Sequence, residues 1–455
     1  MKSRILVSSV FLLSILGWCS NASAESVKPD SQLMVTDLQV VEDARRTNPR
    51  RGSDAVWSFK YLIEQMAGDN NPSDFVMDWL VQWERDQIVN GHLSSARPDM
   101  RELVINPWLA ASGGRRLDLN KAPFKLLAIV NRMDMRSHDA DGDVISAGEG
   151  RFVFGVLDSE GAPLPPSAGP APGGFTVILE YGLPADNMRQ LGDWTKLWKD
   201  LGRHQIGSRQ YNDALERLTR RFTDKGQATN KPNNNALNQI RTNEIALGDT
   251  WELREFVIDE STGSLRQKTV ALTPDSITFN GTVGLSELLN ANESGILDNT
   301  YQLPLWREAA SSIAGPFQPG HFSDFEQRSF TKKLLIDGLD FYDIPWSVAE
   351  TERNEVRHRF ALNTCNGCHR DETGTGFLHV GFPEEHTLPG SLGQSAALSA
   401  FMTGTQITDP LDAETLRTFA ELERRRTDFE SLVVSFGKNG QGSGPRGRHR
   451  PKFVH

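Results

Sequence analysis

The residues whose types and spacing most clearly allow chemistry are Cys365-Asn366-Gly367-Cys368-His369. Two thiols three positions apart can each form a thioether to one vinyl group of the same porphyrin. The next residue then lies over the macrocycle, where an imidazole can ligate the iron. An imidazole one position away would miss the metal. Cys-x-x-Cys alone also serves thioredoxin-like redox sites and zinc knuckles. Of the 3 cysteines, Cys19 falls in a stretch expected to be removed, leaving Cys365 and Cys368 as the thiols of the mature chain. That excludes a Cys₄ zinc site. A Cys₂His₂ site would need His369 with His379 or His386, and a ligand directly beside a Cys ligand is awkward for a tetrahedron. A disulfide is the other alternative. A thioredoxin-like site sits between a strand and a helix, whereas this motif follows a helical stretch.

That stretch, Ala349 to Leu362, places Glu355 and Arg359 as an i,i+4 ion pair and gives Val356, Phe360 and Leu362 as apolar positions. A helix running into Cys-x-x-Cys-His resembles the N-terminal helix of the single-haem c-type cytochromes. Leu388-Pro389-Gly390, with Leu392 and Gly393 behind it, is similar to the loop that offers the proximal His a backbone carbonyl in that family. A C-terminal helix is predicted over 411–436, and the resemblance spans about 325–436. It implies one covalent haem c, with Cys365 and Cys368 as thioether links and His369 as proximal ligand. The family often takes a Met some tens of residues later as sixth ligand, and Met402 is the only Met beyond the motif. Met402 reads equally as packing at an apolar helix end. His379 and His386 are rival ligands; an imidazole would lower the potential that Met/His ligation raises, and an empty position would admit peroxide or a small gas. His358 is expected on the surface of the approach helix.

Residues 1–24 read as a secretory signal peptide: Lys2 and Arg4, an apolar run from Ile5 to Leu16, and Ala22-Ser23-Ala24 as cleavage site. The apolar run is too short to span a bilayer, and Trp18 is a poor neighbour for lipidation at Cys19. Export agrees with haem attachment, which is completed outside the cytoplasmic membrane, so a periplasmic location is expected. No later segment is apolar enough to be transmembrane. The chain's 455 residues allow two or three domains with ample cores. Its net charge of −10, more negative once Lys2 and Arg4 are removed, argues against a nucleic-acid partner. Residues 437–455 instead mix Gly, Ser and Pro with Lys438, Arg446, Arg448, Arg450 and Lys452. They read as a disordered basic tail, or as a docking arm for an anionic partner.

Between leader and haem region, 25–313 read as a mixed α/β domain. Helices are predicted over 54–67, 73–90, 186–202, 210–222 and 284–290, and strands over Phe124–Val130, Arg151–Leu157 and Phe175–Tyr181. A long Pro/Gly-rich loop separates the last two strands. Trp251–Ile258 and Leu265–Leu272 alternate like the arms of a hairpin. Ala314 to Gly320 is the expected boundary before a mainly helical, cytochrome c-like domain over 321–436, making the fold class α+β.

Two other constellations stand out. Asp139-Ala140-Asp141-Gly142-Asp143 with Glu149 is like the start of a calcium loop, but Val144 stands where the Gly belongs and the acid falls one place early, so a solvated turn competes with it. Arg241 and Glu244 fit an i,i+3 ion pair or the lining of a polar pocket. Tryptophans on apolar helix faces read as core rather than as a sugar platform. The function classes left are electron transfer to a periplasmic redox partner, a haem oxidoreductase or peroxidase using the N-terminal body to bind substrate, and a non-catalytic haem sensor or assembly factor.

Overall fold

The structure, a computed structural model, describes residues 26–89, 92–139, 141–165, 174–248, 252–268, 270, 288–298, 301, 321–323, 350–362, 367–376, 378–383, 396–410 and 412–437. The expected signal peptide, the boundary at 314–320, His386, the 388–393 loop and the basic residues beyond 437 lie outside these.

A large antiparallel sheet organises the molecule. Its strands are β1 (Met34–Val35), β2 (Phe124–Arg132), β3 (Glu149–Val156), β4 (Thr176–Gly182), β5 (Leu237–Asn243), β6 (Glu252–Ile258) and β7 (Leu265–Lys268), which pair in sequence order, while β8 (His321–Ser323) pairs with β6. The predicted hairpin forms as β6–β7, with Phe256 opposite Gln267. Side chains alternate between the two faces. Phe152, Phe154, Val177, Leu179, Ile240 and Phe256 point to one face and join the main core. Leu127, Val130 and Val153 point to the other and join a second cluster. The mixed α+β class is observed.

The first face is covered by α1 (Phe59–Met66), α2 (Pro72–Leu80), α3 (Met188–Leu201) and α4 (Arg209–Thr223). Each begins at a side-chain cap: Ser58, Asn71, Asn187 and Ser208 accept hydrogen bonds from first-turn N–H groups. The first two helices are shorter than the periodicity predicts. Residues 49–54 instead form a 3₁₀ stretch containing Gly52 at φ 62°. Beyond α2, Arg85 is extended and Gln87–Val89 pairs with His92–Ser94. Trp57, Trp79, Trp83, Trp108, Trp194 and Trp198 all belong to this core. Trp79 meets Trp83 and Phe256 edge-on at 5.6 and 5.9 Å, an arrangement worth about 0.5–1.5 kcal/mol per pair beyond area burial.

Arg241 and Glu244 do not pair with each other. Arg241 lies on strand β5, where Nη1 is 3.3 Å from Glu180 and Nη2 is 2.9 Å from Glu255. Glu244 faces Arg254 at 3.2 Å. Strand register, not helical spacing, selected their partners.

Two further helices are α5 (Glu350–Leu362) and α6 (Glu421–Gly437). The predicted helix over 411–436 starts late because Thr405–Thr408 and Leu416–Phe419 pair as a hairpin. Phe429, Leu432 and Val433 of α6 sit in the main core. An ionic layer fixes the same helix: Arg136 holds Asp428 at 2.6 Å, and Asp134 lies between Arg132 at 2.9 Å and Arg424 at 2.8 Å. Burial opposes charge on Asp134, but Arg132 and Arg424 outweigh it and hold its carboxyl well below the ordinary carboxylate value.

Candidate functional site

Several described residues between α5 and α6 lie against the second face of the sheet. Phe382, Ala396, Phe401 and Met402 share a cluster with Cys368 and with Leu127, Ala128, Val130 and Val153 of β2 and β3. Gly155 makes the approach possible. A Cβ there would stand 2.2 Å from Cζ of Phe382, so only a glycine lets that ring lie on the strand.

Cys368 and His369 are both buried, on the single turn Gly367–Asp371. Thr373 fastens this turn by donating its hydroxyl to the Cys368 carbonyl at 2.5 Å. Cys365 lies outside the described residues. Two of the three candidates for the sixth ligand, His379 and Met402, lie near Cys368. His379 is buried, its ring centroid 4.4 Å from that of His369 with the planes at 44°. Its Nε2 is 3.5 Å from the Cys368 sulfur and its Nδ1 is 2.9 Å from the Ser399 hydroxyl. Phe401 also packs against His379, at 4.9 Å between centroids. Met402, beside it, is buried in the same cluster as Cys368. The structure thus collects a thiol, two imidazoles and a thioether from positions spread over 368–402.

These donors suit the iron of a c-type haem, for which imidazole and thioether are ordinary axial ligands. They suit a nucleophilic thiol poorly, although a sulfur, an imidazole and an orienting hydroxyl in series have the order of such a site. Cys368 is 1% exposed, and a reactive cysteine must be reached by its substrate.

Behind the turn lies a charged cluster that the sequence reading missed. Arg357 and His358 both contact Glu372, and Arg357 also meets Asp409 at 3.1 Å. Arg417 approaches the same Asp409 at 2.8 Å. His358, expected on the surface, is 6% exposed. Among the described residues, His358, Glu372 and Asp409 form the one group of three His, Cys, Asp or Glu whose ligand atoms lie within 4.8 Å of one another. Two guanidinium groups already compensate the two carboxylates, so the cluster works as a clamp between α5, the motif turn and the hairpin rather than as a cation site. Its only sequence signal is the adjacency of Arg357 and His358 on a helix. Their partners are Glu372 and Asp409, well along the chain.

The acidic loop Asp139–Asp143 is a turn between Ser137–His138 and Val144–Ser146. Asp139 Oδ1 accepts the N–H groups of Asp141 at 3.1 Å and Asp143 at 2.8 Å. Glu149 faces Arg151 at 2.7 Å and Asn238 at 2.9 Å. No described helix is long and apolar enough to cross a membrane.

Comparisons with family models, with curated proteins and with solved structures find no match for this chain.

Proposed function

We propose that the chain is an exported, periplasmic c-type haem protein that transfers electrons through one covalent haem. Cys365 and Cys368 would form the thioether links and His369 would be the proximal iron ligand, with Met402 or its rival His379 supplying the second ligand. The observation that supports the reading is that Met402 shares a buried cluster with Cys368, and His379 lies against Cys368 and His369, since imidazole and thioether are axial ligands of such an iron. When bound, the haem supplies reversible one-electron chemistry.

The chain's own residues have separable tasks. The Ser399 hydroxyl sets the orientation of the His379 ring. Phe382 and Phe401 keep water from the cluster, which raises the cost of a charge change there. The Arg357–Glu372 contact ties the helix before the motif to the residues after it. A soluble periplasmic redox protein is the partner such a centre serves.

A haem oxidoreductase is the second reading. It is favoured by a large cleft on the same face of the sheet, lined by Arg241, Glu255 and Lys268. A denaturing gel stained for haem, together with intact mass after production in a maturation-competent host, tests attachment. Carbon monoxide then separates the readings: a low-spin reduced spectrum unchanged by the gas means electron transfer, and a shifted spectrum means an open coordination site.

A further inference from the structure

A cleft of about 1200 Å³ opens at the end of the sheet where β4 and β6 stop and β5 starts. It is larger than the roughly 300–1,000 Å³ of a typical small-molecule site, which suits a length of chain better than a single ring. Its lining is acidic: Glu149, Asp186, Glu255, Asp259 and Glu260 stand against three cations, Lys231, Arg241 and Lys268. The charges at the base are matched, since Glu149 faces Arg151 and Arg241 lies between Glu180 and Glu255. Those at the mouth have neutral neighbours. Asp259 accepts from Ser261 and Thr262 of its own turn, and Asp186 from the Asn187 amide. Asp186 and Glu260 are exposed. A concave surface of one sign concentrates the opposite charge, so the occupant that fits is an extended, cationic segment.

The chain supplies such a segment at the edge of this cleft. Helix α6 follows the rim. Its Asp428 holds Arg136, which stands between the lining residues Met135 and Ser137. Eight residues later Phe436 packs on Gly192 of α3, where a Cβ would stand 3.0 Å from its ring, two positions past the lining residue Gln190. The helix ends at Gly437. Residues 438–455 contain no Asp or Glu. After Lys438 come seven uncharged residues, Asn439 to Pro445, and then Arg446, Arg448, Arg450 and Lys452 at every second position. Seven residues reach at most about 25 Å, enough to pass from the rim into the cleft. A period of two puts all four cations on one face of an extended chain, about 6.6 Å apart. Tethering also raises their local concentration to about the millimolar range, so a contact too weak to hold a separate peptide is populated within the chain.

We propose that residues 446–452 of this chain lie extended in the cleft, their cations against Asp186, Asp259 and Glu260, so that the protein shields its own cleft. The inference does not depend on haem attachment, because every group it uses belongs to the sheet, its loops and the segment after α6.

Carbodiimide cross-linking of the full-length protein, read by mass spectrometry of the monomer fraction, tests it. Lys452 is expected to be joined to Asp186, Asp259 or Glu260. The yield should fall severalfold between about 0.02 and 0.5 M salt, as the screening length shortens from roughly 20 to 4 Å. A labelled peptide with the sequence of residues 445–455 gives a second readout by fluorescence anisotropy. It should bind about tenfold more tightly to a full-length variant carrying Arg446→Gln, Arg448→Gln, Arg450→Gln and Lys452→Gln than to the parent, whose cleft is already filled. Adding Asp186→Asn, Asp259→Asn and Glu260→Gln should remove that binding, with circular dichroism confirming that both variants fold. Lys452 linked to carboxylates elsewhere, links confined to dimers, a yield indifferent to salt, or equal peptide affinity in parent and neutralised variant would overturn the proposal.

Discussion

Arg357 bridges the motif from behind: its guanidinium contacts Glu372, just past His369, and lies 3.3 and 3.1 Å from the two carboxylate oxygens of Asp409. Arg357, Glu372 and Asp409 are all almost fully buried, so the contact is shielded from solvent and couples the approach helix to the turn that carries Cys368.

Arg357→Met is expected to destabilise the fold by about 3–5 kcal/mol, because it leaves two buried carboxylates short of a cation. Arg357→Lys should recover only part of this, since an ammonium cannot reproduce the planar fork that reaches Glu372 and Asp409 from separate nitrogens. Urea unfolding followed by tryptophan fluorescence measures both.

Gly155→Ala should push Phe382 off β3. Overpacking of this kind costs about 1–3 kcal/mol. Hydrogen exchange should localise the damage, with faster exchange over 378–383 and 396–403 and little change in α3 and α4. Unchanged exchange in those segments would mean that Phe382 does not hold them to the sheet.

Asp134 gives the docking of α6 a defined pH dependence. Its carboxyl is held below the ordinary value by Arg132 and Arg424. A carboxylate with a depressed folded-state pKa stabilises fully above its unfolded value, and that contribution disappears as pH falls through the folded one. Stability should therefore be flat in this respect at neutral pH and drop in acid, below about pH 4. Asp134→Asn should be less stable than the parent at pH 7, and the gap should narrow as the pH is lowered.

Axial ligation separates two residues that the fold brings near Cys368. In haem-loaded protein, Met402→Leu is expected to open the iron to carbon monoxide and lower its potential, while His379→Ala leaves the reduced spectrum insensitive to the gas. The reverse pattern would assign His379 as the sixth ligand. Cys365→Ser with Cys368→Ser should give protein of bare polypeptide mass.

Local pattern was enough for much of this chain. The motif's chemistry depends on neighbours in sequence, and the helical and alternating runs of α3, α4, β2, β3 and β4 depend on spacing within a few residues, so both were legible before any fold was known. The hydrogen bond of a cap or the edge of a hairpin already blurred the limits of α1, α2 and α6. Tertiary structure alone decided the rest. Arg241 found Glu180 and Glu255 through strand register, and His358 went inside because Glu372 waits there. His379 and Met402 met Cys368 because Gly155 leaves room for Phe382 on the sheet. Each of these pairings joins residues on different elements, beyond the reach of a single helix or strand. No periodicity encodes such a partner, since what selects it is the burial of charge and volume when the chain closes on itself.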